Sequence, residues 1–151
     1  NYVVHHFANP KKVFLEISRV LKPGGSFAFA MWGPPEEQST IGAFFSAFSN
    51  HHELSELPHG PLFGVTDKET FQPFISNANL KDFELTLHNT TWNCSTLQPV
   101  IDGWWDWGNL HEFQQEKQDN IKTDFIEKCK PFAHENGYSF PHSAILGLAT
   151  K

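Results

Sequence analysis

The sequence predicts an α/β fold, and three observations carry that expectation. A proline-glycine-glycine turn at 23–25 joins a helix-periodic stretch to an unbroken apolar run. Leu80 to Trp92 alternates as a half-buried strand does, with Phe83, Leu85 and Leu87 on one side and Asp82, Glu84, Thr86 and His88 on the other. Ser143 to Thr150 is apolar enough to be a buried terminal strand, placed antiparallel beside Leu80 to Trp92 near the sheet edge.

Local chemistry marks each element in turn. Asn9 is a good N-cap and Pro10 suits the first helical position, where its missing N–H costs nothing. Val13, Phe14, Ile17, Val20 and Leu21 then recur at helical spacing and form the face to be buried. Pro23 stops this helix, and Gly24 and Gly25 are expected to supply the positive φ of a tight return. Phe27 to Trp32 is apolar without alternation, which predicts a strand covered on both faces.

Beyond Gly33-Pro34-Pro35, residues Thr40 to Asn50 read as a helix with Ile41, Phe44, Phe45 and Phe48 along one side. Leu57 to Gly64 is a loop rich in proline and glycine. Thr66 to Glu69 is a capping box opening a short helix to about Asn77. Ser95 to Gln98 repeats the capping pattern ahead of Pro99 to Trp107, and a longer helix is expected from about His111 to Ala133. The two stretches Thr40 to Asn50 and Pro99 to Ala133 are expected to form a helical cap.

Composition narrows the function classes. With 39% hydrophobic and 15% aromatic residues in 151, the chain can bury one sizeable core, so a single domain is expected. A net charge of -6 offers no electrostatic footprint for nucleic acid or an anionic membrane surface. No apolar run approaches the roughly 18 residues of a membrane span. Cys94 and Cys129 stand far apart without pairing spacing, which fits free thiols in a reducing cytoplasm.

His5-His6, Glu16 to Gly25 (Glu-Ile-Ser-Arg-Val-Leu-Lys-Pro-Gly-Gly) and Trp32-Gly-Pro-Pro35 together resemble one part of a known family. They are similar to the crossover from fourth to fifth strand of class I S-adenosylmethionine-dependent methyltransferases, in the small-molecule branch that includes the ubiquinone and menaquinone methyltransferases. The likeness runs through nearly the whole chain to Gly147-Leu-Ala-Thr-Lys151. It implies the second half of a doubly wound, Rossmann-like sheet, and methyl transfer from S-adenosylmethionine to a small-molecule acceptor. The family grips its cofactor with a glycine-rich loop after the first strand and an acid ending the second. Neither occurs here, so the cofactor-binding half, about 100 residues, is expected to be absent and the chain alone inactive.

The resemblance also implies roles. Asn1, Tyr2 and His5 would flank the methionine end of the cofactor, while His5, His6, Trp32, Phe44, Trp104, Trp105 and Trp107 would face the acceptor. His6 is either a general base for an acceptor proton or the residue that closes the turn after the fourth strand. The tryptophans either line a pocket or fill a core, and on one helix at most two of the three can share a cavity with Trp32. Phe44, Phe45 and Phe48 are likewise open between core and pocket. His5-His6 and His51-His52 lack acidic or cysteine partners at metal spacing, so no metal is expected. A strand left without its neighbour implies a homodimer, a partner chain supplying the cofactor half, or a remnant that binds an apolar ligand.

Overall fold

Asn9 caps the first helix, α1 (Pro10–Val20), by accepting the Lys12 amide at 3.1 Å. The computed structural model describes residues 2–34 and 38–151, so Asn1 and the Pro35 end of the loop after Trp32 lie outside the described residues. Phe14 is fully enclosed, with the rings of Phe7, Phe27 and Phe74 around it. Pro10, Phe14 and Ser18 form the buried line, whereas Val20 is 62% exposed. That corrects the expected face: Val20 lies six positions after Phe14, about 120° round the helix. Of the two turn glycines only Gly24 has positive φ, at +75°. Gly25 is needed for closeness instead, since a Cβ there would sit 2.9 Å from the Lys22 carbonyl. The turn is tied to the last residue, with Gly24 donating to the Lys151 carbonyl at 2.8 Å and Lys151 donating back to Gly25 at 2.9 Å.

The turn delivers β1 (Ser26–Trp32), which pairs antiparallel with β4 (Gly137–Thr150) from Ser26 opposite Thr150 to Trp32 opposite Ala144. The strand order is β1-β4-β2, with β2 spanning Lys81–Cys94. The terminal strand therefore does lie beside the alternating one. Cys94 meets Gly137 while Glu84 shares a groove with Leu148, so the two run antiparallel. β4 starts earlier than expected because a hairpin pairs it with β3 (Ala133–His134).

β1 is covered on both faces only in its middle, from Phe29 to Met31. Phe29 and Met31 join the core of their unit, but Ala28 is exposed, and its partner Leu148 and the nearby Leu146 are each 43% exposed. Ala28, exposed but apolar, made the strand read as uniformly covered. Leu87 on β2 is likewise exposed, because the core reaches only as far as Leu85.

Two compact units share these strands. The first comprises Asn1–Pro34, His59–Asn89 and Ser143–Lys151. Its core joins Phe14, Phe29 and Met31 to Phe71 and Ile75 of α3 (Lys68–Asn77). Asp67, one residue later than expected, caps α3 by accepting the Thr70 amide at 2.7 Å. The second unit comprises Pro35–Pro58 and Thr90–His142. There α2 (Ser39–Ser49), α4 (Gln98–Trp107) and α5 (Gln115–Cys129) pack around Phe44, Phe48, Ile121, Phe125 and Phe140.

The long helix expected over 111–133 is shorter, flanked by 3-10 turns at Leu110–Glu112 and Lys130–Phe132. Gln114 is extended at its start, and Pro131 has no N–H to continue it at its end. Leu97, not Ser95, holds the N-cap of α4, without a side-chain bond.

Candidate functional site

In the first unit the expected residues gather at the carboxyl end of β1. The Tyr2 amide donates to the Ala30 carbonyl at 2.7 Å, with Tyr2 at φ +53°. This sets its ring 4.4 Å from that of Trp32, the last residue of the strand. Trp32 is 38% exposed, so it is a surface ring rather than part of the core. A 3-10 turn over Val4–His6 follows, with Val4 and His5 buried and His6 exposed. Adjacent residues on so tight a turn point different ways, and burying Val4 in the core sends His6 outward.

His5 is 2% exposed. The loop from His59 to Val65 crosses over it, and Gly60 makes the crossing possible. A Cβ at Gly60 would lie 2.4 Å from the His5 carbonyl oxygen and 3.3 Å from that of Phe7. The Phe63 ring stands edge-on to the imidazole at 6.3 Å. Burial holds the His5 imidazole below the ordinary histidine range, opposed by the nearby Val65 carbonyl and assisted by His6. Although that carbonyl is close enough to favour a proton on the ring, among the described residues neither ring nitrogen completes a hydrogen bond.

In the second unit Phe44 and Trp104 stack at 4.7 Å with their planes 10° apart. Trp107 meets Trp104 edge-on at 5.5 Å. Trp105 projects elsewhere and is enclosed in the core, as a 3.6-residue period requires of a neighbour of Trp104. Trp104 and Trp107 remain half-buried, so they combine packing with an accessible edge.

Sequence reading missed a buried polar set in this unit. His142 Nδ1 donates to Gln38 Oε1 at 2.6 Å, which leaves Nε2 to accept from the Thr40 hydroxyl at 3.2 Å. Burial keeps the His142 imidazole below the ordinary histidine range, in accord with that neutral form. The one hint was a lone histidine next to an apolar run; its partners stand 104 and 102 positions away.

Ser139 also lies 3.1 Å from His134 Nε2, but this is no nucleophile pair. His134 Nδ1 accepts the Asn136 amide, so Nε2 carries the proton and donates to Ser139, which donates on to Asn93. Cys129 is as inert: burial, aided by the nearby Cys94 thiol, pushes its pKa up to about 12. Among the described residues no three His, Cys, Asp or Glu side chains converge as metal ligands would, and no helix is long and apolar enough to cross a membrane.

Residues 1–29 match the family profile of a methyltransferase domain. Among solved structures, a protein of Bacillus halodurans C-125 provisionally assigned as a methyltransferase is 23% identical, with a TM-score of 0.51. The alignment covers 99% of this chain and 61% of that one, so the chain spans less than two thirds of its neighbour's length. Phosphoethanolamine N-methyltransferase 2 of Haemonchus contortus, solved with phosphomonomethylethanolamine and S-adenosylhomocysteine, aligns over 98% of this chain and 31% of its own. There the identity is 16% and the TM-score 0.42. Among curated proteins no sequence matches. The chain thus carries a methyltransferase-domain match over its first 29 residues, and over nearly all its length a partial Rossmann-like α/β fold similar to that of the Bacillus protein.

Proposed function

We propose that this chain carries the acceptor side of an S-adenosylmethionine-dependent methyl transfer to a small molecule. The observation that supports this most is the meeting of Tyr2 and Trp32 at the carboxyl end of β1, beside or within the stretch that matches a methyltransferase domain, with the turn that carries His5 and His6 following Tyr2 directly. Ligands of open α/β sheets bind at that edge. In this reading Tyr2 and His5 flank the methionine end of the cofactor, while His5, His6 and Trp32 serve the acceptor. Phe44 and Trp105, enclosed in the core of the second unit, are left out. Methyl transfer from a sulfonium needs in-line positioning in a dry site, and a base only when the acceptor must lose a proton. The ubiquinone- and menaquinone-like branch is not carried forward, since the matching profile is that of a methyltransferase domain in general.

The residues of this chain do not by themselves fit the cofactor. Among the described residues no glycine-rich turn leads from a strand into a helix. The N-termini of α1 and α3 are closed by their own Asn9 and Asp67 caps, and those of α2, α4 and α5, which have no side-chain cap, follow no glycine-rich turn. We therefore place the main cofactor grip outside this chain and derive no step through it. Titration calorimetry of the chain with S-adenosylmethionine should show no binding tighter than millimolar; micromolar affinity would overturn this division of roles.

One observation favours assembly with a second copy. β1 ends the strand order, and among the described residues the backbone bond on its outer edge is that of Tyr2. An open strand edge invites pairing. Sedimentation equilibrium at tens of micromolar should then report a dimer, and a stable monomer would remove this reading.

A further inference from the structure

We propose that residues 59–65 form a strap that opens to present His5 to the acceptor. The role of the opening rests on the methyl-transfer reading; the opening itself does not. His5 is almost wholly enclosed, yet among the described residues neither of its ring nitrogens completes a hydrogen bond. Histidine carries a donor and an acceptor whichever tautomer it adopts. The closed strap therefore desolvates both, and its Val65 carbonyl answers at most the nitrogen that carries the proton, so the other stays unpaired and raises the closed state relative to one with the ring in contact with water or a ligand. Such a group persists at a fold's interior when it has a use or an unseen partner.

The strap is built to move as a piece. It carries its own turn bonds, Phe63 to Gly60 at 3.0 Å and Val65 to Leu62 at 3.2 Å. Gly60 touches the turn below backbone to backbone, while Gly64, at φ +75°, has open space about it and serves as the second hinge. Leu62, 2% exposed in the core of its unit, is the latch that recloses it. When the strap lifts, a neutral imidazole held below the ordinary histidine range can accept a polar hydrogen from a hydroxyl or amine. His6 stands exposed beside it, and His59 moves with the strap.

Amide hydrogen exchange on the full chain tests this without cofactor. His5→Phe keeps a planar ring and removes both ring nitrogens, so exchange at Leu62 to Val65 should slow about tenfold, while the β1 amides stay unchanged. Faster exchange, or a lower denaturant midpoint, would mean that His5 already has a partner in the closed state and would overturn the proposal. As a second probe, Gly60→Ala should lift the strap and speed diethyl pyrocarbonate modification of His5 at least severalfold. Modification at His6, which is already exposed, should not change. Equal acceleration at both, or exchange rising across β1 as well, would show general unfolding and overturn it. Because neither readout involves S-adenosylmethionine, failure of the strap and failure of the methyl-transfer reading are separately visible.

Discussion

Gly137→Ala should lower stability by about 3 kcal/mol, since it combines two penalties of about 1–3 kcal/mol each that need not add in full. Gly137 opens β4 at φ +136°, where side chains are strained whatever the space. Its Cβ would also lie 2.1 Å from the Cys94 carbonyl oxygen and 2.8 Å from the Ser95 Cα, both backbone atoms that cannot swing aside. The matched control is Gly103→Ala on α4. There nothing lies within 4 Å of the new Cβ, so alanine should stabilise by about 0.5–1 kcal/mol through helix propensity. Urea midpoints of the two variants should move in opposite directions. A Gly137→Ala midpoint within error of the parent would show that β2 and β4 do not approach each other as described.

Phe44→Ala should remove about 3–5 kcal/mol, the range for a large ring truncated in a closed core. Phe44 is fully buried, stacks on Trp104 and meets Phe125 edge-on at 6.2 Å. Its loss frees the inner face of Trp104, so tryptophan emission should shift red in the surviving folded protein as the midpoint falls. A loss below about 1 kcal/mol would place Phe44 on an open pocket wall, where truncation leaves no closed cavity.

The order of elements could be read from the chain because each is announced locally. Asn9, the helical stripe and Leu21-Lys-Pro-Gly-Gly25 specify α1, its turn and the entry to β1 with chemistry confined to a few residues. What escaped reading depends on partners far away. Ala28 and Ala30 are equally apolar, yet Ala28 is exposed and Ala30 buried, and only the structure separates the two. The helix expected from His111 breaks at both ends over segments that look helical by hydrophobicity alone.

At the site, the pair His5-His6 was visible but its division into one buried and one exposed ring was not, because that depends on Gly60 arriving from another segment. Gly147 is similar. A Cβ there would lie 2.2 Å from the Phe29 ring, which lies across it, and no pattern in the sequence marks that approach. The aromatic cluster separated as helical geometry demands, with Trp104 and Trp107 together and Trp105 apart.

The most direct test of the central claim, that this chain supplies the acceptor side and not the cofactor grip, compares two proteins by calorimetry with S-adenosylmethionine. One is the chain itself, and the other carries a glycine-rich, cofactor-gripping half joined ahead of Asn1. The account predicts micromolar binding only for the second, together with transfer of the methyl group to a small-molecule acceptor that Trp32→Ala impairs while cofactor affinity is kept. Micromolar binding by the chain alone, or a joined protein that binds cofactor and transfers equally well with Trp32→Ala, would contradict it.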